Sequence, residues 1–272
     1  MSTRFSHYSI YQVDAFADAV FKGNPAAIVP LDTWLPDAVM QKIAMENQLS
    51  ETAFFVQVGS GFDLRWFTPF FEVDLCGHAT LAAAHVLFSE LHLDGGEVVF
   101  KTKSGELKVE RDNGAYRMNF PIDRLSPLSD DRVEVALGVP PMALFQGKDD
   151  LLAVLECEKA VRELEPDMRR IAELDARGVI VTARAGRAEQ LDFVSRCFFP
   201  KYGIDEDPVT GSAHTTMAPY WSEKLNKSTL RAAQRSPRGG SVGCEVLGDR
   251  VILSGGAVTF LRGEISLPLV AG

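Results

Sequence analysis

Cysteine is scarce in this chain. Of 272 residues, four are Cys, at positions 76, 157, 197 and 244, and no two form a Cys-x-x-Cys pair. That spacing excludes a zinc knuckle and a disulfide framework and predicts four free thiols. The five histidines, His7, His78, His85, His92 and His214, show neither HxxxH nor HExxH spacing. His78 and His85 could share a helix face, but no acidic ligand accompanies them, so no metal site is read from the sequence. Positive charge is also in deficit, 28 Lys and Arg against 37 Asp and Glu, for a net charge of −9 without a basic cluster. The electrostatic footprint of a nucleic-acid binder is therefore missing, and nucleic acid is not expected as a partner. No run approaches the ~18 apolar residues of a membrane span, and the opening MSTRFSHYSIYQVDAF holds no apolar signal core. The expectation is a cytoplasmic protein without membrane attachment.

What is present is ordinary globular material, 46% hydrophobic and 24% charged residues, enough for two domains at about 150 residues each. The chain also reads twice. Met40–Val56, MQKIAMENQLSETAFFV, is an amphipathic helix followed by an apolar strand, and Met168–Ala183, MRRIAELDARGVIVTA, repeats that order. Asp63–Phe88 then gives strand, Pro, acidic loop, Gly turn and Ala-rich helix, and Asp192–Trp221 gives the same series. Arg65-Trp66-Phe67-Thr68-Pro69 parallels Arg196-Cys197-Phe198-Phe199-Pro200, and Gly77-His78-Ala79 parallels Gly211-Ser212-Ala213. Each half closes in turn-punctuated strands, with Ser-Gly and Asn-Gly turns in the first and Gly-Asp and Gly-Gly turns in the second. The pattern predicts an α+β protein of two pseudo-symmetric domains. The first covers residues 1–120, the second 121–262, and a terminal strand at about 263–272 returns to the first. Duplicated halves of this kind are expected to face each other across a ligand cleft.

Gly77 and Gly211 each precede a helical run, so unpaired N–H groups and the positive helix end point out of each turn, a setting suited to a carboxylate. A Gly at a strand–helix turn also serves backbone geometry alone. Around these turns lie Asp74, His78, Asp205, Glu206, Asp207 and Ser212, a dense set of proton-handling groups on loops. Acidic loop residues are also often just solvated, and as a set these carry more weight than any one does. Glu51, where the first helix gives way to an apolar strand, either projects beside Phe54 or Phe67 as a proton shuttle or sits in a surface turn; spacing does not choose. Cys76 precedes Gly77 at a helix start, a place that lowers a thiol pKa and makes it a candidate base or nucleophile. Its repeat-mate is Thr210, so a two-thiol mechanism lacks its second member. Cys157, Cys197 and Cys244 read as packing residues.

Taken in order, Val13-Asp14-Ala15-Phe16, Phe21-Lys22-Gly23-Asn24-Pro25-Ala26-Ala27, Leu49-Ser50-Glu51-Thr52, Arg65-Trp66-Phe67-Thr68-Pro69, Leu75-Cys76-Gly77-His78-Ala79-Thr80 and Glu206-Asp207-Pro208-Val209-Thr210-Gly211-Ser212-Ala213 resemble the PhzF-like (phenazine biosynthesis-like) family over nearly the whole chain. The resemblance implies the diaminopimelate epimerase-like fold, two domains each with a mixed, mostly antiparallel sheet wrapped around a central helix. It implies a cofactor-independent isomerase of a small unsaturated or amino-acid-like carboxylate, with Glu51 as the acid/base. His78, Asp207 and Ser212 are implied as substrate-binding residues, beside the Gly77, Gly211 and Cys76 turns, and a homodimer fits the fold. The same resemblance leaves open a one-thiol racemase or epimerase using Cys76, and a non-catalytic metabolite-binding or regulatory protein.

Overall fold

Short apolar strands rich in β-branched and aromatic residues, set between Gly, Asn and Asp turns, form sheets because one face can be buried while the turns are left in water. The computed structural model describes residues 5–186 and 190–268. The chain divides into two units, one of Met1–Phe21, Pro25–Tyr116 and Gly256–Gly272, the other of Lys22–Asn24 and Arg117–Gly255. Among the described residues, no helix is long and apolar enough to cross a membrane.

The first unit begins with β1 (Phe5–Ala15), β2 (Asn24–Leu31), helix α1 (Asp37–Asn47), β3 (Glu51–Val58), β4 (Gly61–Phe67) and the short β5 (Glu72–Val73). Helix α2 (Gly77–His85) follows, running on into a π-helical turn, Val86–Glu90, and then β6 (Glu97–Thr102) and β7 (Gly105–Asp112). Strands β2 and β3 pair parallel, β3 and β4 antiparallel, β4 and β6 parallel, and β6 and β7 antiparallel. Helix α2 lies against β1, β3 and β7. Every residue from His78 to Ala84 is buried, and four of them are Ala, which lets strand backbones approach the helix closely on all sides. The Asn-Gly turn read after β7 is present, with Asn113 and Gly114 at φ 48° and 84°, the paired left-handed conformation such a hairpin requires.

The second unit holds β8 (Ala115–Pro121) from Arg117 on, β9 (Ser126–Pro127), α3 (Asp131–Leu137), β10 (Ala143–Gln146), β11 (Leu151–Val154), α4 (Glu158–Arg162) and α5 (Met168–Ala172). It continues through β12 (Val179–Arg184), β13 (Phe193–Phe199), β14 (Ile204–Asp207), α6 (Gly211–Leu225), β15 (Thr229–Gln234), β16 (Gly240–Leu247) and β17 (Arg250–Gly255). Its core gathers Val133, Leu137, Val161, Ile171, Val179, Val181, Val194 and Phe198, all nearly free of solvent, and each contributes about 1.5–3 kcal/mol of burial. The last strand, β18 (Ala257–Pro268), returns to the first unit and runs antiparallel to β1 from Phe5↔Pro268 to Ala15↔Ala257. The final residues of the expected returning segment, 269–272, lie outside the described residues.

The two units repeat one topology in one register. Strands β11 and β12 are parallel, β12 and β13 antiparallel, β13 and β15 parallel, and β15 and β16 antiparallel, the order seen from β2 to β7. Thr52 pairs with Phe67 as Val179 pairs with Phe198, and Phe62 pairs with Phe100 as Phe193 pairs with Ala232. Matched arginines make matched bonds. Arg65 donates Nε and Nη2 to the two Glu72 oxygens at 2.7 and 2.9 Å, and Arg196 donates the same pair to Glu206 at 2.7 and 2.9 Å. Each guanidinium also sits over the Phe two residues on, 5.2 Å from the Phe67 ring and 5.0 Å from the Phe198 ring. The fold is thus mixed α+β in two duplicated halves, each a mostly antiparallel sheet packed on its own central helix.

Candidate active site

Glu51 opens β3, where parallel pairing with Ala26 on one side and the neighbouring Thr52–Phe67 pair on the other fix its backbone. Of the two readings left by the sequence, the surface turn is ruled out: the Glu51 side chain is only 13% exposed. Phe54 and Phe67, three residues on and across the ladder, are buried and meet edge to face at 5.6 Å.

Helix α2 supplies the other two groups. Its N-cap is Cys76, in extended conformation, and no side chain caps the helix start, so the first amide N–H groups are not taken by a capping residue. The Thr80 hydroxyl instead turns back to the Cys76 carbonyl at 2.6 Å, bracing the turn from inside the helix. His78, 6% exposed, directs Nε2 at Glu51 Oε2 across 3.1 Å and Nδ1 at Cys76 Sγ across 3.5 Å. The result is a thiol–imidazole–carboxylate chain. The His78–Glu51 contact is at ion-pair distance but off hydrogen-bond alignment. Among the described residues, neither Nε2 nor Oε2, both buried, has a hydrogen-bond partner.

Burial dominates the thiol. The Cys76 pKa is pushed up to about 11, chiefly by desolvation and then by the Glu51 charge, against the smaller pull of His78 and the Ala79 amide. The expectation that the helix start lowers this pKa is therefore corrected: a partial charge at a helix end does not offset removing a thiolate from water. Burial alone would lower the His78 imidazole, but Cys76 and Glu51 outweigh it and hold His78 well above the usual histidine value. Of those two partners Glu51 is the one we credit, because the buried thiol keeps its proton at neutral pH. The other thiols are free; Cys197 and Cys244 are buried as expected of packing residues, whereas Cys157 is exposed at the N-cap of α4.

The matching turn of the second unit is built differently. Thr210 caps α6 through its backbone only, and its hydroxyl donates to Asp207 Oδ2 at 2.5 Å. Asn24 Nδ2 donates to Asp207 Oδ1 at 2.8 Å and to the Val209 carbonyl at 2.9 Å, and Gln234 bridges the Asp207 carbonyl and the Thr210 amide. Asp207, 8% exposed, is thus held by protein donors on both oxygens. Ser212 is exposed and accepts from Arg177 Nη2 at 3.3 Å, while Arg177 is anchored on buried Asp150 and stacks over Phe199.

Of the residues singled out from sequence, the first unit brings Glu51 and Cys76 to His78 beside Gly77, whereas in the second Asp207 and Ser212, near Gly211 at the start of α6, have separate partners. Glu206 is taken up by Arg196, and the Asp74 carbonyl accepts from Ser104 Oγ. Asn24, Arg177 and Gln234 were not singled out. Asn24 lies inside the Gly23-Asn24-Pro25 motif and could have been found there, whereas Arg177 and Gln234 carry no local sequence signal.

The arrangement is a carboxylate–imidazole pair at 3.1 Å beside an uncapped helix start, within one half of a duplicated α+β protein. The chain belongs to the phenazine biosynthesis-like protein family, whose model matches residues 13–263. It is 50% identical over 258 residues to a protein of Pseudomonas aeruginosa named an uncharacterized isomerase, covering 94% of this chain and 98% of that one. The crystal structure of a PhzF-family phenazine biosynthesis protein from Enterococcus faecalis superimposes with TM-score 0.91 at 49% identity, covering 96% of this chain and all of the other. A predicted epimerase from P. aeruginosa, 20% identical with TM-score 0.76 over 97% of this chain and all of the other, shares the fold.

Proposed function

We propose that the protein is a cofactor-independent isomerase of a small unsaturated or amino-acid-like carboxylate, with Glu51 as the acid/base. The observation that carries this reading is the 3.1 Å approach of two buried, otherwise unpartnered atoms, Glu51 Oε2 and His78 Nε2. A carboxylate kept largely from water and beside a polarising imidazole is suited to take a proton from carbon and give it back. In this reading the substrate carboxylate docks on N–H groups at the start of α2. Glu51 removes a proton from the acidified carbon, the double-bond electrons shift, and the protonated Glu51 returns the proton to another carbon. His78 offsets the negative charge that develops in between. Asp207 and Ser212, in the second unit, are substrate-binding candidates by family resemblance alone, and the steps above do not draw on them.

The test is incubation with pools of amino and hydroxy acids in deuterium oxide, read as one-dalton mass gains. Wash-in that survives Glu51→Gln with undiminished rate sinks the assignment. A second reading, a one-thiol racemase or epimerase, draws support from the 3.5 Å approach of Cys76 Sγ to His78 Nδ1, but burial of the thiol disfavours its thiolate. Loss of turnover on alkylation, prevented by substrate, would favour that reading over the first.

A further inference from the structure

Sequence spacing hides one property of the Glu51 cluster, because its carboxylate comes from β3 and its other members from the start of α2. One donor atom each from Glu51, Cys76 and His78 can be chosen so that all three lie within 4.8 Å of one another. A tetrahedral zinc ion, with Zn–S about 2.3 Å and Zn–N about 2.0 Å, holds those two donors about 3.5 Å apart. Cys76 Sγ and His78 Nδ1 already stand at 3.5 Å, the separation such an edge requires, and Glu51 is the third donor of the set. An independent observation points the same way. Apart from their own 3.1 Å approach, which is off hydrogen-bond alignment, Glu51 Oε2 and His78 Nε2 are buried without a hydrogen-bond partner among the described residues, and His78 is 6% exposed. Buried polar atoms left in that condition are costly unless something binds them. The donor set, one sulfur, one imidazole nitrogen and one carboxylate oxygen, is that of a thiophilic first-row ion. Mg2+ and Ca2+ prefer oxygen donors and do not fit it.

The geometry points to Glu51, Cys76 and His78 as a capture site for a thiophilic divalent cation such as Zn2+, which silences the site by occupying the base. The capture itself rests on the three donors alone; the silencing rests on the function proposed above. A metal on Glu51 withdraws the lone pair that would accept the substrate proton. Capture therefore competes with proton transfer rather than assisting it, and a fourth coordination position remains for water or a substrate carboxylate.

The test begins with the full chain stripped by chelator and titrated with Co2+, then displaced by Zn2+. One equivalent should give a near-ultraviolet thiolate-to-cobalt charge-transfer band with tetrahedral visible bands. Cys76→Ala should abolish the charge-transfer band, and His78→Gln should weaken Zn2+ affinity at least ~100-fold, while Cys157→Ser, which removes the exposed thiol, should change neither. A band that survives Cys76→Ala or disappears in Cys157→Ser overturns the site, as does the absence of one-equivalent binding. Melting curves of the variants separate loss of ligand from loss of fold. In the deuterium assay, one equivalent of Zn2+ should suppress wash-in at least ~10-fold and Mg2+ should not. Wash-in unaffected by bound Zn2+ overturns the silencing. If wash-in is absent in the metal-free protein while cobalt binds as described, the functional reading fails and the capture site stands.

Discussion

Gly178 stands at the register position of the second unit that Glu51 holds in the first. Superposing the Thr52–Phe67 pair on the Val179–Phe198 pair puts Glu51 on Gly178. A Cβ at Gly178 would meet Phe199 Cδ1 at 2.2 Å and the Phe198 carbonyl oxygen at 2.3 Å. The half that lacks the carboxylate therefore lacks room for any side chain there, and in the proposed function proton transfer rests on the first unit's copy of the motif alone.

Gly178→Ala is accordingly expected to destabilise the protein by about 3 kcal/mol or more, since one close neighbour is backbone and cannot swing away. Urea unfolding monitored by near-ultraviolet circular dichroism checks it. A loss below ~1 kcal/mol would mean that β12 and β13 separate more easily than their pairing implies.

Glu51→Gln preserves shape and should lower deuterium wash-in by about 10²- to 10⁴-fold while leaving the melting temperature within a few degrees. An equal collapse of activity and melting temperature would instead make Glu51 a structural residue.

Stability should fall in mild acid because of His214. This imidazole is fully buried, and desolvation lowers its pKa to about 4 against the opposing bond to the Thr210 carbonyl. The unfolded chain takes up this proton as pH drops through about 6.5, whereas the folded chain resists until about 4, so stability present above 6.5 is lost between those values. The loss amounts to about 3 kcal/mol. His78, with its raised pKa, acts in the opposite sense: its contribution is complete below about 6.5 and is lost at higher pH as its folded value is passed. The measurement is therefore a difference. Urea unfolding at pH 7 and pH 4.5 should show a smaller acid loss in His214→Leu than in the parent, and identical losses would refute the assignment.

The two bidentate arginines should differ in weight. Arg196 also donates Nη1 to the Leu164 carbonyl at 2.6 Å and the Val161 carbonyl at 3.3 Å, tying α4 and the chain after it to β13. The additional partner of Arg65, Asp37, is exposed. Arg196→Lys is expected to cost about 2 kcal/mol more than Arg65→Lys in chemical unfolding, because Lys cannot serve the Glu206 fork and two carbonyls together.

Much of this architecture was legible in the sequence for an identifiable reason. The repeated Arg-x-Phe segments and Gly turns encode a strand, a hairpin and a helix start, each governed by local chemistry, and the alignment of Arg65 with Arg196 translates into identical ladder registers. The Glu51–His78 approach was implied by family resemblance but not by spacing, because it depends on where β3 is laid against α2. Two features escaped for the same reason. The raised Cys76 pKa is a product of burial, which no neighbour in sequence reports, and the support of Asp207 by Asn24 and Gln234 joins segments far apart in the chain.

The starts of the two central helices carry no side-chain cap, a condition they share with α1 and α4 but not with α3 and α5. Asp130 and Asp167 close α3 and α5 with side-chain acceptors, but Cys76 and Thr210 close α2 and α6 with none. An anionic guest settling at either central helix would supply the missing acceptor, finishing the secondary structure as it binds. Recognition and folding would then draw on the same few N–H groups, and a well-matched guest should make its host harder to melt.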